Sequence, residues 1–494
     1  MRIGTEQDNY HHETWRNTGR LSLLLGSLFV LSQLLGAQFN AQSPEATVAP
    51  IRLHPDNPHY FLFRGKPAVL INSGEHYGAV LNPDFDYLAY LNTLQAKGFN
   101  LTRILNGTAR EEIFWAGEQN TLSPRPGRYL APWARSAMPG YRGGGNKFDL
   151  DKWDGAYFER LKNFVREAGR RGIVVELCFF TVDTQWAGSL FQATNNVNGI
   201  GSTYSGLFNT LLDPPLVDKA ESLIRKTVIE LNEFDNLYYE ICNECYRSGH
   251  GAYSDAWQNH LVATLVEAES KLPNKHMIAW NYASFSAEVV NPNPAVSVFN
   301  FHFAFPPTAA LTSNYKLNKA IAFDKTIEGT LARDRRREAW AFILSGGAVY
   351  NNLDWSFARD DPTGSGKVEQ PGGRYNGEEI RSQLKILKDF IHSFDFIRMR
   401  PHNAVVSGLP AGATAYALVD PGAAYAIYLM DGAQATLSLD VEAGRYRAEW
   451  VNPRTGATDK TQELNHTGGK LTLSSPAYVE DIALRLVRIT GRTG

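Results

Sequence analysis

Leu237-Tyr238-Tyr239-Glu240-Ile241-Cys242-Asn243-Glu244 reads as a short apolar strand that ends on two polar side chains. Burying an amide and a carboxylate at a strand end is costly unless they are paired or used. Seven more runs of this kind flank it: Ala68 to Gly74, Leu101 to Leu105, Ile173 to Phe180, His276 to Asn281, Val296 to Phe303, Lys319 to Thr326 and Ala348 to Ser356. Several are rich in Val, Ile, Phe and Tyr, as strands buried on both faces should be. Amphipathic stretches lie between them, at Asp84 to Lys97, Trp153 to Arg171, Leu216 to Phe234, Tyr253 to Lys271 and Arg335 to Leu344. In the second of these, Tyr157, Leu161, Phe164 and Val165 share one helical face. Strands alternating with helices predict an α/β fold with a parallel sheet. Eight strands, with no Gly-rich dinucleotide fingerprint after the first, favour a closed (β/α)8 barrel over an open doubly wound sheet.

The chain around this unit divides into recognisable parts. With 494 residues it is long enough for a barrel and a smaller module. The barrel is expected over residues 50–400. From 402 to 494 the pattern changes to short alternating segments such as ATAYALV, AAYAIYLM, GRYRAEWVN and DIALRLVRI, which predict a small antiparallel β-sandwich. No long linker precedes it, so the sandwich should pack on the barrel. At the other end, the apolar run Leu21 to Leu35 is followed by small residues and reads as a secretory signal, making residues 1–41 a signal peptide and leader. The run is short for a membrane span. A secreted or periplasmic protein with no stable membrane span is therefore expected. Within the barrel, the Gly- and Pro-rich connection from Asn106 to Asp151 is long enough to wall a cleft.

Composition narrows the partner. Hydrophobic residues at 43% and charged residues at 20% describe a folded chain, and a net charge of −2 gives no reason to expect nucleic acid. Of the three cysteines, Cys242 and Cys245 form a C-x-x-C beside Cys178, without the second Cys or His pair that a zinc site needs. No metal or cofactor is expected.

Polar residues at the C-terminal ends of barrel strands face the cleft, so the strand ends name the candidates. Asn243-Glu244 closes the fourth strand. Here the chain resembles the clan A glycoside hydrolases, secreted bacterial cellulase-like barrels, in HPDNPHYFLFRGKPAVLINSGEHYGAVLN, GFNLTRI, NLYYEICNE and REAWAFILSGGAVYNNLDWSF. The resemblance implies a retaining hydrolase of O-glycosidic bonds in a β-linked poly- or oligosaccharide. It makes Glu244 the acid/base, and it puts the nucleophile at the seventh strand's end, within Ala322-Phe323-Asp324-Lys325-Thr326-Ile327-Glu328-Gly329. Where relatives read Asp-Glu-Thr-Gly, this chain has Lys325 in place of the nucleophilic Glu. Glu328 or Asp324 is then the attacking carboxylate, or the barrel binds carbohydrate without cleaving it. Cys245 stands where relatives often carry Pro.

A retaining mechanism places two carboxyl groups about 5 to 5.5 Å apart, one attacking and the other protonating the leaving oxygen. Glu244 is then expected protonated at rest and the nucleophile ionised, with Arg103 on the second strand as the supporting cation. His302 is expected to hold the nucleophile or a sugar hydroxyl, and Trp355 to stack under a sugar ring. His76 and Glu75 are candidates for a hydroxyl and Asn243 for the 2-hydroxyl, with Trp186 and Asn195-Asn196 more remote. A scaffold in which the sandwich binds the partner is the blander alternative. The oligomeric state is not encoded in any of these features.

Overall fold

The structure, a computed structural model, describes residues 49–489 apart from 112–118, 183–187, 202–207, 249–251, 305, 307, 327–330, 367 and 371–372. All eight expected strands form. They are β1 (Leu70–Gly74), β2 (Leu101–Leu105), β3 (Val174–Thr181), β4 (Leu237–Asn243), β5 (Ile278–Ser284), β6 (Val296–His302), β7 (Ala320–Lys325) and β8 (Val349–Leu353). They make one sheet in the order β1-β8-β7-β6-β5-β4-β3-β2. Every pairing in it is parallel. The remaining seam, between β1 and β2, is bridged by a side chain. Asn100 accepts from the Ile71 N–H and donates to the Val69 carbonyl, each at 2.9 Å. The chain is thus a (β/α)8 barrel.

Sequence chemistry explains the helices around it. Asp86, Asp154 and Asp213 accept backbone N–H groups at the starts of Tyr87–Ala96, Gly155–Arg170 and Pro214–Leu231, and proline opens the last of these. Ala252–Ser270 and Ala332–Leu344 complete the expected set. Two further helices form, the short Ala309–Asn314 and Gly377–His392, which covers β1 and buries Ile380, Leu384, Leu387 and Ile391 at helical spacing.

Because side chains alternate along a strand, the barrel interior is layered. Leu70, Leu101, Val174, Tyr238, Val298, Ala320 and Val349 form an apolar floor with Ile51 and Phe61 beneath them. Phe61 belongs to a small antiparallel sheet, Arg52–His54, Asn57–Phe63 and Lys66–Ala68, at the N-terminal end of the chain described. Two residues further along their strands, Arg103, Glu176, Glu240 and Asn300 make a polar layer that is fully or almost fully buried. The mouth comes next.

The long connection that begins at Asn106 carries the antiparallel pair Trp133–Pro139 and Asn146–Trp153, the second strand running two residues past Asp151. Asn195 and Asn196 brace the neighbouring loop. Their amides donate to the carbonyls of Ser189 and of Leu190, Gln192 and Ile200, so both serve the wall's own structure. Beyond Arg400, a six-stranded and a three-stranded antiparallel sheet enclose a core of Ile427, Leu437, Leu439, Trp450 and Leu484. Arg336 on a barrel helix donates to Asp481 and Glu480, each at 2.8 Å, and Trp340 stacks on Tyr428 at 5.3 Å. The expected signal stretch lies outside the described residues. Among those described, no helix is long and apolar enough to cross a membrane.

Candidate active site

Glu244 follows the last residue of β4 with a left-handed backbone, φ +58°, and is 1% exposed. Its N–H donates to Asn281 Oδ1 on β5 at 2.7 Å, which fixes the turn. Three cationic groups converge on its carboxylate. Lys325 Nζ lies 3.1 Å and His302 Nδ1 2.8 Å from Oε1, while Arg247 donates to Oε2. Burial pushes Glu244 upward, but Lys325, then His302 and Arg247, outweigh it and hold the carboxyl well below its ordinary range. The resting Glu244 is ionised, not protonated as the sequence had suggested. A strand-end cation three ångströms away reverses the effect of desolvation.

His302 has a carboxylate at each ring nitrogen, with Nε2 3.2 Å from Asp324 Oδ1. Burial alone would lower its pKa. Asp324 and Glu244 together raise it, which favours an imidazolium with a proton facing each neighbour. His302 therefore bridges Glu244 and Asp324 through its two ring nitrogens.

Asp324 does not open on the cleft. It is fully buried, with Oδ2 3.4 Å from Arg103 Nε and Oδ1 facing His302. His302 and Arg103 hold it ionised against the upward push of burial. That placement corrects its candidacy as the attacking group, because a β-strand side chain on the inward face one residue short of the strand end points into the barrel. Glu328, the other candidate, lies outside the described residues, as does Trp186.

Arg103 serves the layer below. It contacts Asp324 and Glu240, lies 3.9 Å from Glu176 by its Nε, and donates to Asn243 Oδ1 from both terminal nitrogens at 3.2 Å. Its counterions are internal carboxylates rather than a nucleophile at the mouth. Asn243 is engaged at both ends of its amide, since Nδ2 also donates to Thr181 at 3.1 Å. It orients the strand end. Glu176, Glu240 and Asp324 bring ligand atoms within 4.8 Å of one another, the geometry of a cation site, and the cation there is Arg103 itself.

The β1 and β8 side of the mouth holds the other candidates. His76 Nε2 meets Glu111 Oε1 at 2.8 Å, and its ring lies 4.2 Å from the partly buried Trp355 ring. Burial raises Glu111, yet His76 and Lys325 bring it below its ordinary value. Glu75 departs from expectation. Its carboxyl accepts from the Gly78 and Ala79 N–H groups at 2.9 and 3.2 Å and from Thr121, so it knots the loop after β1 instead of reaching a ligand. Burial pushes its pKa up to about 7.

Cys242 and Cys245 are joined in a disulfide, Cα to Cα 5.7 Å, with Asn243 and Glu244 between them. The C-x-x-C is thus a local staple. Lys325 as a clamp, Arg247, Asn281 and Glu111 are site residues that the strand-end rule did not assign. Arg247, three residues after Glu244 on a short helical turn (Cys245–Ser248), could have been found from that spacing.

No protein-family model matches the sequence, and no curated protein matches it. Solved structures do match. One described as a glycoside hydrolase is 12% identical, with 89% of this chain and 97% of that one covered and a TM-score of 0.62. A glycoside hydrolase of family 5 from Bacteroides vulgatus is 12% identical over 89% of this chain and 93% of that one, with a TM-score of 0.59. At this identity the likeness is one of fold.

Proposed function

We propose that this protein is a secreted glycoside hydrolase that cleaves O-glycosidic bonds in a β-linked poly- or oligosaccharide with net retention, using Glu244 as its acid/base. The observation that carries the reading is Glu244 itself, a carboxylate at the barrel mouth whose proton supply, His302, is already in hydrogen-bond contact. The fold shared with solved glycoside hydrolases supports it.

The resting charge pattern sets the order of events. Glu244 is ionised while Lys325 and Arg247 face it, so it cannot protonate a leaving oxygen until a proton reaches it. The His302 imidazolium supplies that proton through Nδ1 as substrate displaces water and weakens the ion pairs. Glu328 attacks the anomeric carbon, and Glu244 returns as base to activate water against the glycosyl-enzyme.

A second reading has one observation in its favour: Lys325 occupies the place of the nucleophile in the resemblance and binds Glu244 at 3.1 Å. In this reading the barrel holds a glycan without cutting it. The two separate on a panel of aryl β-glycosides and soluble β-glucans. These are offered to wild type, Glu244→Gln, Glu328→Gln and Asp324→Asn, with the product anomer followed by NMR. Retention lost at Glu244 and Glu328 supports the hydrolase. Wild-type silence with sugar binding intact supports the binding barrel.

A further inference from the structure

Three successive barrel strands end on the same backbone device. Glu244 after β4, Phe285 after β5 and Phe303 after β6 take φ values of +58°, +62° and +51°. Each is fastened to the next strand through its own N–H. Glu244 donates to Asn281 Oδ1 on β5 at 2.7 Å, Phe285 to the His302 carbonyl on β6 at 2.8 Å, and Phe303 to the Lys325 carbonyl on β7 at 2.8 Å. Glycine adopts this conformation without penalty, whereas a bulky side chain in it is a genuine outlier. Such outliers persist where the surrounding structure imposes them, and they cluster at ligand sites.

What the device presents is two aromatic rings. Phe285 is 54% exposed, and its ring centroid lies 6.5 Å from that of the partly buried Phe303. Lys325 Nζ lies 5.7 Å from the Phe303 ring and 3.1 Å from Glu244 Oε1, so the pair continues the site without a break. Beside it the Tyr246 hydroxyl and Ser284 Oγ share a hydrogen bond of 2.7 Å, a polar edge next to the apolar faces. Strain that exposes a large apolar ring to water is explained by a ligand that covers it. An apolar face flanked by hydroxyls matches a sugar ring, which has carbon–hydrogen faces and a hydroxyl rim.

We infer that Phe285 and Phe303 form a stacking subsite for a pyranose ring, one that extends the glycan site from Glu244 along the β5 and β6 edge of the mouth. The inference rests on the glycan reading of Glu244 and adds that the ligand is a chain with at least one sugar beyond the one held there. Lys325 Nζ lies 5.7 Å from the Phe303 ring and touches Glu244 directly, so chain length and not chemistry at Glu244 reports on the subsite.

Affinities are measured by titration calorimetry for β-linked gluco- and manno-oligosaccharides from disaccharide to hexasaccharide, on the full chain carrying Glu244→Gln to prevent turnover, alone and combined with Phe285→Gly or Phe303→Ala. Phe285→Gly also relieves the left-handed strain. It is therefore expected to raise the melting temperature while weakening long oligosaccharides by roughly tenfold, with the disaccharide hardly affected. A purely structural residue would not separate stability from affinity in that direction. Affinity that grows with chain length as steeply in both Phe variants as in their parent overturns the subsite and leaves the glycan reading standing. A parent that binds no oligosaccharide overturns the glycan reading and the subsite with it.

Discussion

Two layers of charge lie one above the other on the same barrel strands, and they are built differently. In the lower layer Arg103 is enclosed by Glu176, Glu240 and Asp324, all with side chains at 0% exposure. Asn300 donates to Glu176 and Glu240, and the Tyr238 hydroxyl donates to Glu176. Burial, then Glu240, pushes Glu176 well above the usual carboxylate range, so the layer keeps a proton of its own. In the upper layer Glu244 is equally buried, but its partner Arg247 is 56% exposed at the side chain. The lower layer sets one cation among carboxylates, and the upper sets one carboxylate among cations. A charge cluster closed on all sides fixes a structure, and one closed on all sides but one can exchange a partner for a ligand. Asp324 and His302 join the two, which makes the lower layer the anchor of the upper one.

The sharpest way to break this contrast is to remove the lower cation. Arg103→Met leaves Glu240 without its counter-charge inside the barrel and Asp324 with His302 alone. It is expected to cost about 3–5 kcal/mol, the usual penalty for orphaning one side of a buried ion cluster. Chemical denaturation reads it directly. An unchanged midpoint would mean that the lower layer is held by shared protons instead of by Arg103, and the distinction between the layers would lose its physical basis.

The upper layer is expected to respond in function more than in stability. Glu244→Gln should lower hydrolysis by about 10²- to 10⁴-fold, the range for a lost acid/base group, with a smaller loss of stability than Arg103→Met. Lys325→Met should move the pH response instead. Glu244 has a depressed folded pKa, so it contributes stability above its unfolded value near 4.5, and that contribution is lost only as pH falls through the depressed value. Without Lys325 the loss should occur at higher pH, closer to 4.5, in acid unfolding followed by circular dichroism. His302 has the opposite sign. Its raised pKa stabilises the fold below 6.5 and is lost as pH rises through the raised value, so the alkaline side should survive Lys325→Met unless Glu244 has moved.

The barrel was legible because each strand is a run that only a two-sided burial explains, and because Asn243-Glu244 ends one of them. The helix Gly377–His392 was not among the expected ones, although Ile380, Leu384, Leu387 and Ile391 carry the same helical spacing. The layers were not legible. Glu176 and Glu240 stand in the middle of VVELCFF and LYYEICNE, where the chain alone does not tell that they face Arg103 across the barrel. Asp324 and Lys325 are adjacent in sequence, yet the pleat sends one into the closed layer and the other to the open mouth. Glu75 looked like a ligand residue because it follows β1. Its role depends on Thr121 and on the backbone N–H groups of Gly78 and Ala79, which no spacing rule brings together.

Glu75 extends the comparison to a carboxyl held by a hydroxyl and backbone N–H groups, on which burial outweighs His76. Its folded pKa of about 7 lies above the unfolded value near 4.5, so the fold prefers it neutral. Stability should therefore fall as pH rises from 4.5 and level off above 7, by about 3 kcal/mol. Glu75→Gln removes the titration. The melting temperatures of variant and wild type should draw apart in the variant's favour between pH 5 and pH 8, after allowance for the acceptor that Gln lacks. A constant offset across that range would show that Glu75 ionises freely.

The smallest effect is expected from the covalent staple, which tests whether the mouth is held by charge or by chain. Cys242 and Cys245 are both fully buried, and the bond between them encloses Asn243 and the left-handed Glu244. Closing so short a loop is worth about 2 kcal/mol in the chain-entropy account. Glu244 is also tethered by Asn281, His302, Lys325 and Arg247, so Cys242→Ala with Cys245→Ala should lower stability by that modest amount and leave the carboxylate where it is. The His302 ring is the reporter, because its Nδ1 contacts Glu244 at 2.8 Å. Its titration by NMR should match wild type. A fall in the His302 pKa would show that Glu244 had moved away, and that the staple rather than the ion pairs positions the carboxylate.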